Sequence, residues 1–155
     1  DAVRAKTGTA IALINAAYPQ AGIRKGPITS RMLLEVLPSE NTLVTMKLSG
    51  TQIKRILGRT VMSLSGIRVK LDVTKPEGKR LISARLQDGT PIRDKDLYTV
   101  TTNDFLLMAG DGHTEFADGI HVEDTGILMR DALAEHIARL GTVAPRLDGR
   151  IQVSR

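Results

Sequence analysis

Apolar positions along the chain switch between two spacings. Ile67, Val69, Leu71 and Val73 alternate with Arg68, Lys70 and Asp72, the period-two pattern of a strand with one buried face. After Gly50, Ile53, Ile56, Leu57 and Val61 recur at the intervals of an amphipathic helix. Thr9 to Asn15 is continuously apolar around Ile11 and Ile14 and predicts a buried strand, with a helix end as the weaker reading. Thr42 to Leu48 predicts an alternating strand, and Leu97 to Asn103, rich in β-branched residues, predicts another. Leu81 to Leu86 returns as a strand after the KPEGK turn (Lys75 to Lys79), so a hairpin is expected there. Thr29 can cap a short helix through Leu37, with Leu33, Val36 and Leu37 facing inward and Pro38 ending it. Thr125 to Leu140 predicts a helix with Met129, Leu133, Ile137 and Leu140 as its apolar stripe, an i,i+4 pair of Glu135 with Arg139, and Gly141 closing it. A terminal strand follows over Arg150 to Val153, while Tyr18 to Pro27 and Asp104 to Gly119 read as loops. No linker or repeat divides the chain. The pattern predicts one α+β domain over residues 1–155, with a mixed sheet flanked by helices.

Composition narrows the function classes. Apolar residues are 41% and charged residues 25%, globular values that argue against disorder. There is no cysteine, which excludes disulfides, thiolate metal sites and cysteine nucleophiles. The longest uncharged apolar run, Ala10 to Ala17, is too short to span a bilayer, so no membrane partner is expected. No signal peptide is visible, and the opening on Asp1 leads us to expect a piece of something longer. The net charge of +5 favours anionic partners. The basic residues are scattered, and the aromatics are only Tyr18, Tyr98, Phe105 and Phe116. A nucleic-acid partner is therefore disfavoured, since no stacking platform is available for single strands.

No catalytic motif stands out. His113, His121 and His136 with Asp111, Glu115 and Asp118 lack the spacing of metal-ligand sets, and a packing role suits His136. Ser49-Gly50 and Ser65-Gly66 lack the leading glycine of a nucleophile elbow. Two segments remain as candidates for binding. Asn15 through Arg24 runs from a strand into a loop, where Arg24, shortly after Gly22, can offer a planar fork to a phosphate or carboxylate, or be an ordinary surface arginine. Asn103-Asp104-Phe105 followed by Ala109-Gly110-Asp111-Gly112 puts an aromatic and a carboxylate on one loop. Phe105 can stack on a flat ring and Asp111 can accept from vicinal hydroxyls; equally, Phe105 can be a buried turn anchor.

The ordered segments Ala12-Leu13-Ile14-Asn15, Gly22-Ile23-Arg24, Gly26-Pro27-Ile28-Thr29, Leu34-Glu35-Val36-Leu37-Pro38, Asn41-Thr42-Leu43-Val44, Leu48-Ser49-Gly50, Asn103-Asp104-Phe105-Leu106 and Gly110-Asp111-Gly112 resemble the C-terminal, substrate-binding domain of 5′-nucleotidases. That family includes UDP-sugar hydrolases and 2′,3′-cyclic-nucleotide phosphodiesterases, and the resemblance runs from Asp1-Ala2, near the end of the family domain's first helix, to Gly149-Arg150-Ile151. It implies a periplasmic or secreted bacterial enzyme that hydrolyses nucleoside 5′-monophosphates. It also implies that an N-terminal metallophosphoesterase domain, absent from this chain, holds two divalent metal ions, so that this chain carries no catalytic residue, metal or cofactor and is inactive alone. By resemblance Arg24 would hold the phosphate, Asn15 would contact the base, Phe105 would form one face of a stacking sandwich, and Asp111 would bind the ribose hydroxyls.

Departures from the family pattern cluster at these loops. The family runs roughly N-x-G-G-I-R, whereas the segment between Asn15 and Arg24 is four residues longer and keeps only Gly22 before Ile23. Ser39 stands where a second stacking aromatic usually follows Leu-Pro, and GGDG has become Ala109-Gly110-Asp111-Gly112. The expected ligand is a weakly bound nucleoside or nucleoside monophosphate. The alternative is a non-catalytic scaffold or interaction module whose pocket loops have been altered, naturally or by engineering.

Overall fold

The α+β architecture with a mixed sheet flanked by helices forms as expected, its strands divided between two sheets. The computed structural model describes residues 1–154. Helix α1 (Ala2–Thr7) leads into β1 (Ile11–Asn15), α2 (Ser30–Val36), β2 (Thr42–Ser49), α3 (Gly50–Arg59), β3 (Met62–Ser65), β4 (Ile67–Asp72), β5 (Leu81–Leu86) and β6 (Leu97–Asn103). Then come α4 (Asp104–Leu107), two single 3-10 turns (Gly110–Gly112 and Thr114–Phe116), β7 (Ile120–Leu128), α5 (Met129–Leu140) and β8 (Ile151–Ser154). The larger sheet has the order β3-β1-β6-β2-β7, with β1 and β6 parallel and the other neighbours antiparallel. The smaller is β5-β4-β8, in which β4 and β5 form the expected hairpin and β8 runs parallel to β4.

Each face of the larger sheet meets its own layer. Ile11 and Leu13 of β1, with Val44, Met46 and Leu48 of β2, pack on Ile53, Ile56 and Leu57 of α3 and on Ile67, Val69 and Leu71 of β4. Ile14 and Leu43, from the same two strands, face the other way onto Val36 and Leu37 at the end of α2 and onto Met129 and Ala132 of α5. A strand covered on both faces has no polar side, which is why Thr9 to Asn15 reads as an uninterrupted apolar run. The burial is what the alternating pattern demands, since a slip of one residue would turn each set to the wrong layer.

Several expectations shift at element ends. The helix expected from Thr125 starts at Met129, because Ile120–Leu128 pairs with β2 and the Thr125 hydroxyl donates to the Leu43 carbonyl at 2.8 Å. The Glu135–Arg139 pair does not form. Glu135 takes Lys6 of α1 instead, and Arg139 turns to His136 Nδ1 at 3.0 Å, because the neighbouring helix supplies a cation within reach. Val61 and Val73 lie beyond the ends of their elements and are exposed, as is Leu140. Strand β3 was not expected; its partner β1 supplies the pairing that a four-residue segment cannot signal alone. The Leu48-Ser49-Gly50 segment has a mechanical reading. Ser49 and Gln52 make a reciprocal capping box at the start of α3, and a Cβ on Gly50 would lie 2.0 Å from the Arg93 carbonyl oxygen.

Candidate functional site

Strands β1 and β6 are parallel neighbours, so their C-terminal residues Asn15 and Asn103 arrive at the same end of the sheet. In open sheets this is the edge at which loops gather to receive a ligand. Asn103 is buried and forms the hub. Its Oδ1 accepts from the Leu106 N–H at 2.9 Å and so caps α4, while its Nδ2 donates to Asn15 Oδ1 at 3.2 Å. Asn15 passes the chain on, donating from Nδ2 to Asp111 Oδ2 at 3.1 Å. The expected site residues Asn15 and Asp111 are therefore in contact, 96 positions apart in sequence.

Helix α4 carries Phe105, which is 43% exposed. Gly110 explains how the ring and the carboxylate come together. A Cβ at Gly110 would lie 2.4 Å from Phe105 Cε1, so only glycine lets the turn bearing Asp111 close against the ring. Gly110 is thus engaged by the protein's own aromatic. Ala109 (φ 60°) and Asp111 (φ 55°) on either side of it lie in the left-handed region, where a side chain is disfavoured.

Arg24 and Gly22 sit in the segment between β1 and α2, and both are exposed. Gly22 has open space around it, and among the described residues Arg24 forms no hydrogen bond or ion pair. The longer segment is nevertheless anchored. Tyr18 is buried, its N–H donates to the Asn15 carbonyl at 3.1 Å, and the Gln20 N–H donates to the Val36 carbonyl at 2.9 Å. The Tyr18 hydroxyl donates to Asn41 Oδ1 at 2.9 Å, and Asn41 Nδ2 donates to Asp104 Oδ1, which also accepts from the Phe105 N–H at 2.8 Å. Burial raises the Tyr18 phenol above its ordinary range, against hydrogen bonds from Ser39 and Asn41. The longer segment thus brings a tyrosine into the core beside Ser39, linked through Asn41 to Asp104 at the start of α4.

The far side of the Asp111 turn rests on groups whose importance was not legible in the sequence. Arg59 Nη1 donates to the Gly112 carbonyl at 2.6 Å, and its Nε to Glu77 Oε1 at 3.2 Å. His113 is 1% exposed, and its ring meets Phe116 edge-on at 6.0 Å. Burial pushes the imidazole below its ordinary value and the Arg59 charge adds to this, while Glu115, Asp111 and Glu77 oppose both. Its Nδ1 has no partner among the described residues. Those residues contain no group of three or more His, Asp or Glu side chains that could hold a metal ion.

Residues 1–118 match the family model described as "5′-nucleotidase, C-terminal domain". The chain is 32% identical to the trifunctional nucleotide phosphoesterase of Bacillus subtilis (strain 168), over 94% of this chain and 11% of that protein. It superimposes on the 5′-nucleotidase precursor from Thermus thermophilus with a TM-score of 0.88 and 33% identity, covering 97% of this chain and 32% of the other. The NAD nucleotidase of Haemophilus influenzae, at 23% identity, shares the fold with a TM-score of 0.82 over 94% of this chain and 30% of its own. The chain therefore spans about a third or less of the length of these proteins. With the family model covering most of its length and the same fold recurring in these relatives, the chain belongs to the 5′-nucleotidase C-terminal domain family.

Proposed function

We propose that this domain recognises a nucleoside or nucleoside 5′-monophosphate for a 5′-nucleotidase, whose hydrolytic chemistry resides in a metallophosphoesterase domain N-terminal to it. The observation that carries this reading is the union of Phe105 and Asp111 on one short loop, closed by the Gly110 contact and tied to Asn15. An exposed aromatic offers a stacking surface to a base. The carboxylate beside it, with Oδ2 taken by Asn15, keeps Oδ1 for the vicinal hydroxyls of a ribose. Asn15 keeps amide capacity for the edge of the base, since each of its two side-chain polar atoms has one partner in the chain. Arg24 supplies a planar fork for the phosphate, and Gly22 leaves its approach unobstructed.

The hydrolytic domain would supply two divalent metal ions that neutralise the phosphoryl oxygens and activate water. This chain contributes binding and orientation, so phosphate release from AMP with added Mn²⁺ should match a buffer blank. A periplasmic or secreted location follows from the same kinship, and no helix among the described residues is long and apolar enough to cross a membrane.

An amide-shift titration with adenosine and AMP tests the reading. Saturable shifts centred on Phe105 and Asp111 are expected at millimolar ligand, with additional shifts near Arg24 for AMP alone. A flat response from the wild type would overturn the reading and leave an interaction module in its place.

A further inference from the structure

Left-handed backbone at residues with side chains persists only where surrounding contacts over-determine it. Ala109 and Asp111 both need such support. Two backbone bonds close the turn locally, from the Gly112 N–H to the Ala109 carbonyl at 3.1 Å and from the His113 N–H to the Gly110 carbonyl at 3.2 Å. Neither reaches outside the turn. Two side chains from distant elements do: Asn15 at the end of β1 holds the Asp111 carboxylate, and Arg59 at the end of α3 holds the backbone.

The Arg59 guanidinium is engaged on several sides. Beyond the Gly112 carbonyl it meets Glu77 in the β4–β5 turn, and Nη1 lies 3.7 Å from Glu115 Oε2 on the next 3-10 turn. Its own carbonyl accepts from Arg80 Nη1 at 3.3 Å, which fixes the helix end from which the side chain departs. A planar fork held at several points has a set direction, unlike a lone flexible cation. At the C-terminal end of the same turn the His113 ring is buried against Phe116. The turn is thus held by a guanidinium from α3 and ends on a packed imidazole.

We propose that Arg59 is a positioning residue: through the Gly112 carbonyl it holds the Ala109–His113 turn in the arrangement that sets the Asp111 carboxylate beside Phe105. Its importance for ligand rests on the reading of Asp111 as the acceptor of sugar hydroxyls. Its hold on the turn does not, and exists with or without ligand.

The test uses the full chain and three variants followed by NMR. Arg59→Met keeps the apolar stem but loses the donors and the charge. It should displace the Asp111 and Gly112 amide signals and raise the pH at which His113 titrates, because Glu115, Asp111 and Glu77 would still face the ring with no cation to oppose them. It should also weaken adenosine binding about tenfold, the loss expected when one charge-assisted hydrogen bond no longer holds the acceptor. Arg59→Lys keeps the charge without the fork, so His113 titration should return to the wild-type value while adenosine affinity recovers only in part. Glu77→Gln removes the charge of a second partner of Arg59 outside the turn and should leave the Asp111 signal in place. Wild-type Asp111 and Gly112 signals in Arg59→Met would overturn the proposal. If Arg59→Met does not fold, Arg59→Lys carries the same reading: displaced Asp111 signals support it and unmoved ones overturn it. Failure of the wild type to bind adenosine would remove the nucleoside reading, while the amide and imidazole signals would still establish or refute the hold of Arg59 on the turn.

Discussion

The two candidate binding segments are built in opposite ways. The Phe105–His113 loop is fastened at nearly every residue: Asn103 caps its helix, Gly110 seats the ring, Asn15 takes the carboxylate, Arg59 takes the Gly112 carbonyl, and His113 is buried. The segment from Ala16 to Thr29 is anchored through Tyr18 and Gln20, after which residues 21–27 are all exposed. On the proposed reading, the first loop would meet a ligand with its groups already placed, so little ordering cost would fall on binding there. The exposed Arg24 side chain would have to be ordered on binding, which would subtract from whatever a phosphate contact gains. Discrimination should therefore come from the base and sugar, with the phosphate adding modestly.

The largest expected effect breaks the fastened loop at its hub. Asn103→Ala removes the α4 cap and leaves Asn15 without its donor inside the site, so urea unfolding should show a loss of about 2–3 kcal/mol. A loss under about 0.5 kcal/mol, the range of an ordinary surface change, would mean that Asn103 is not the hub. Asp111→Ala comes next. It should cost adenosine about 10- to 100-fold in affinity, measured by titration, whereas Arg24→Ala should cost AMP less than that and adenosine nothing. Equal losses for the two variants would remove the distinction between a fastened and an exposed end.

Two smaller effects sharpen the contrast. Ala109→Gly relieves a left-handed alanine and should stabilise the chain by about 1 kcal/mol, while Gly22→Ala in the open segment should change stability by less than about 0.5 kcal/mol. Thermal unfolding of both variants checks this, and a destabilised Ala109→Gly would contradict the backbone assignment. The last concerns pH. His113 has a folded pKa below its unfolded value of about 6.5, so the unfolded chain binds the proton more readily. The stability it contributes is complete above that value and is lost as pH falls through the lower folded pKa. His136 is shifted in the same direction by burial and by Arg139, so His113→Gln should lessen the acid slope of unfolding free energy without removing it. An unchanged slope would show that His113 is not held neutral.

Elements with a strong local period were legible along the chain. The alternation at Ile67 to Leu71 and the stripe from Ile53 to Leu57 form as read, because each buries one face against a layer and the period identifies that face, and the β-branched run ending at Asn103 forms a strand whose last four residues are all buried. The start of α5 was not legible. Residues 125–128 continue a plausible helical pattern, yet their backbone pairs with β2, and a pairing partner more than 80 positions away leaves no local trace. The separation into two sheets escaped for the same reason, since β8 joins β4 across the whole length of the intervening chain.

The site divides along the same line. Asn15, Arg24, Phe105 and Asp111 could be chosen from residue chemistry and motif order, and the fold brings Asn15, Phe105 and Asp111 to one end of the sheet. Arg59 looked like one scattered cation among many, and Tyr18 like a loop residue, because what each does depends on a carbonyl or an amide in another element. By itself, then, the sequence determined which stretches bury a face and which side chains have the chemistry to bind, since hydrophobic period and functional groups are properties of residues in order. Only the tertiary structure decided which groups hold one another in place: a hydrogen bond fixes a side chain through distance and direction, and those are set by the packing of elements that the chain order leaves far apart.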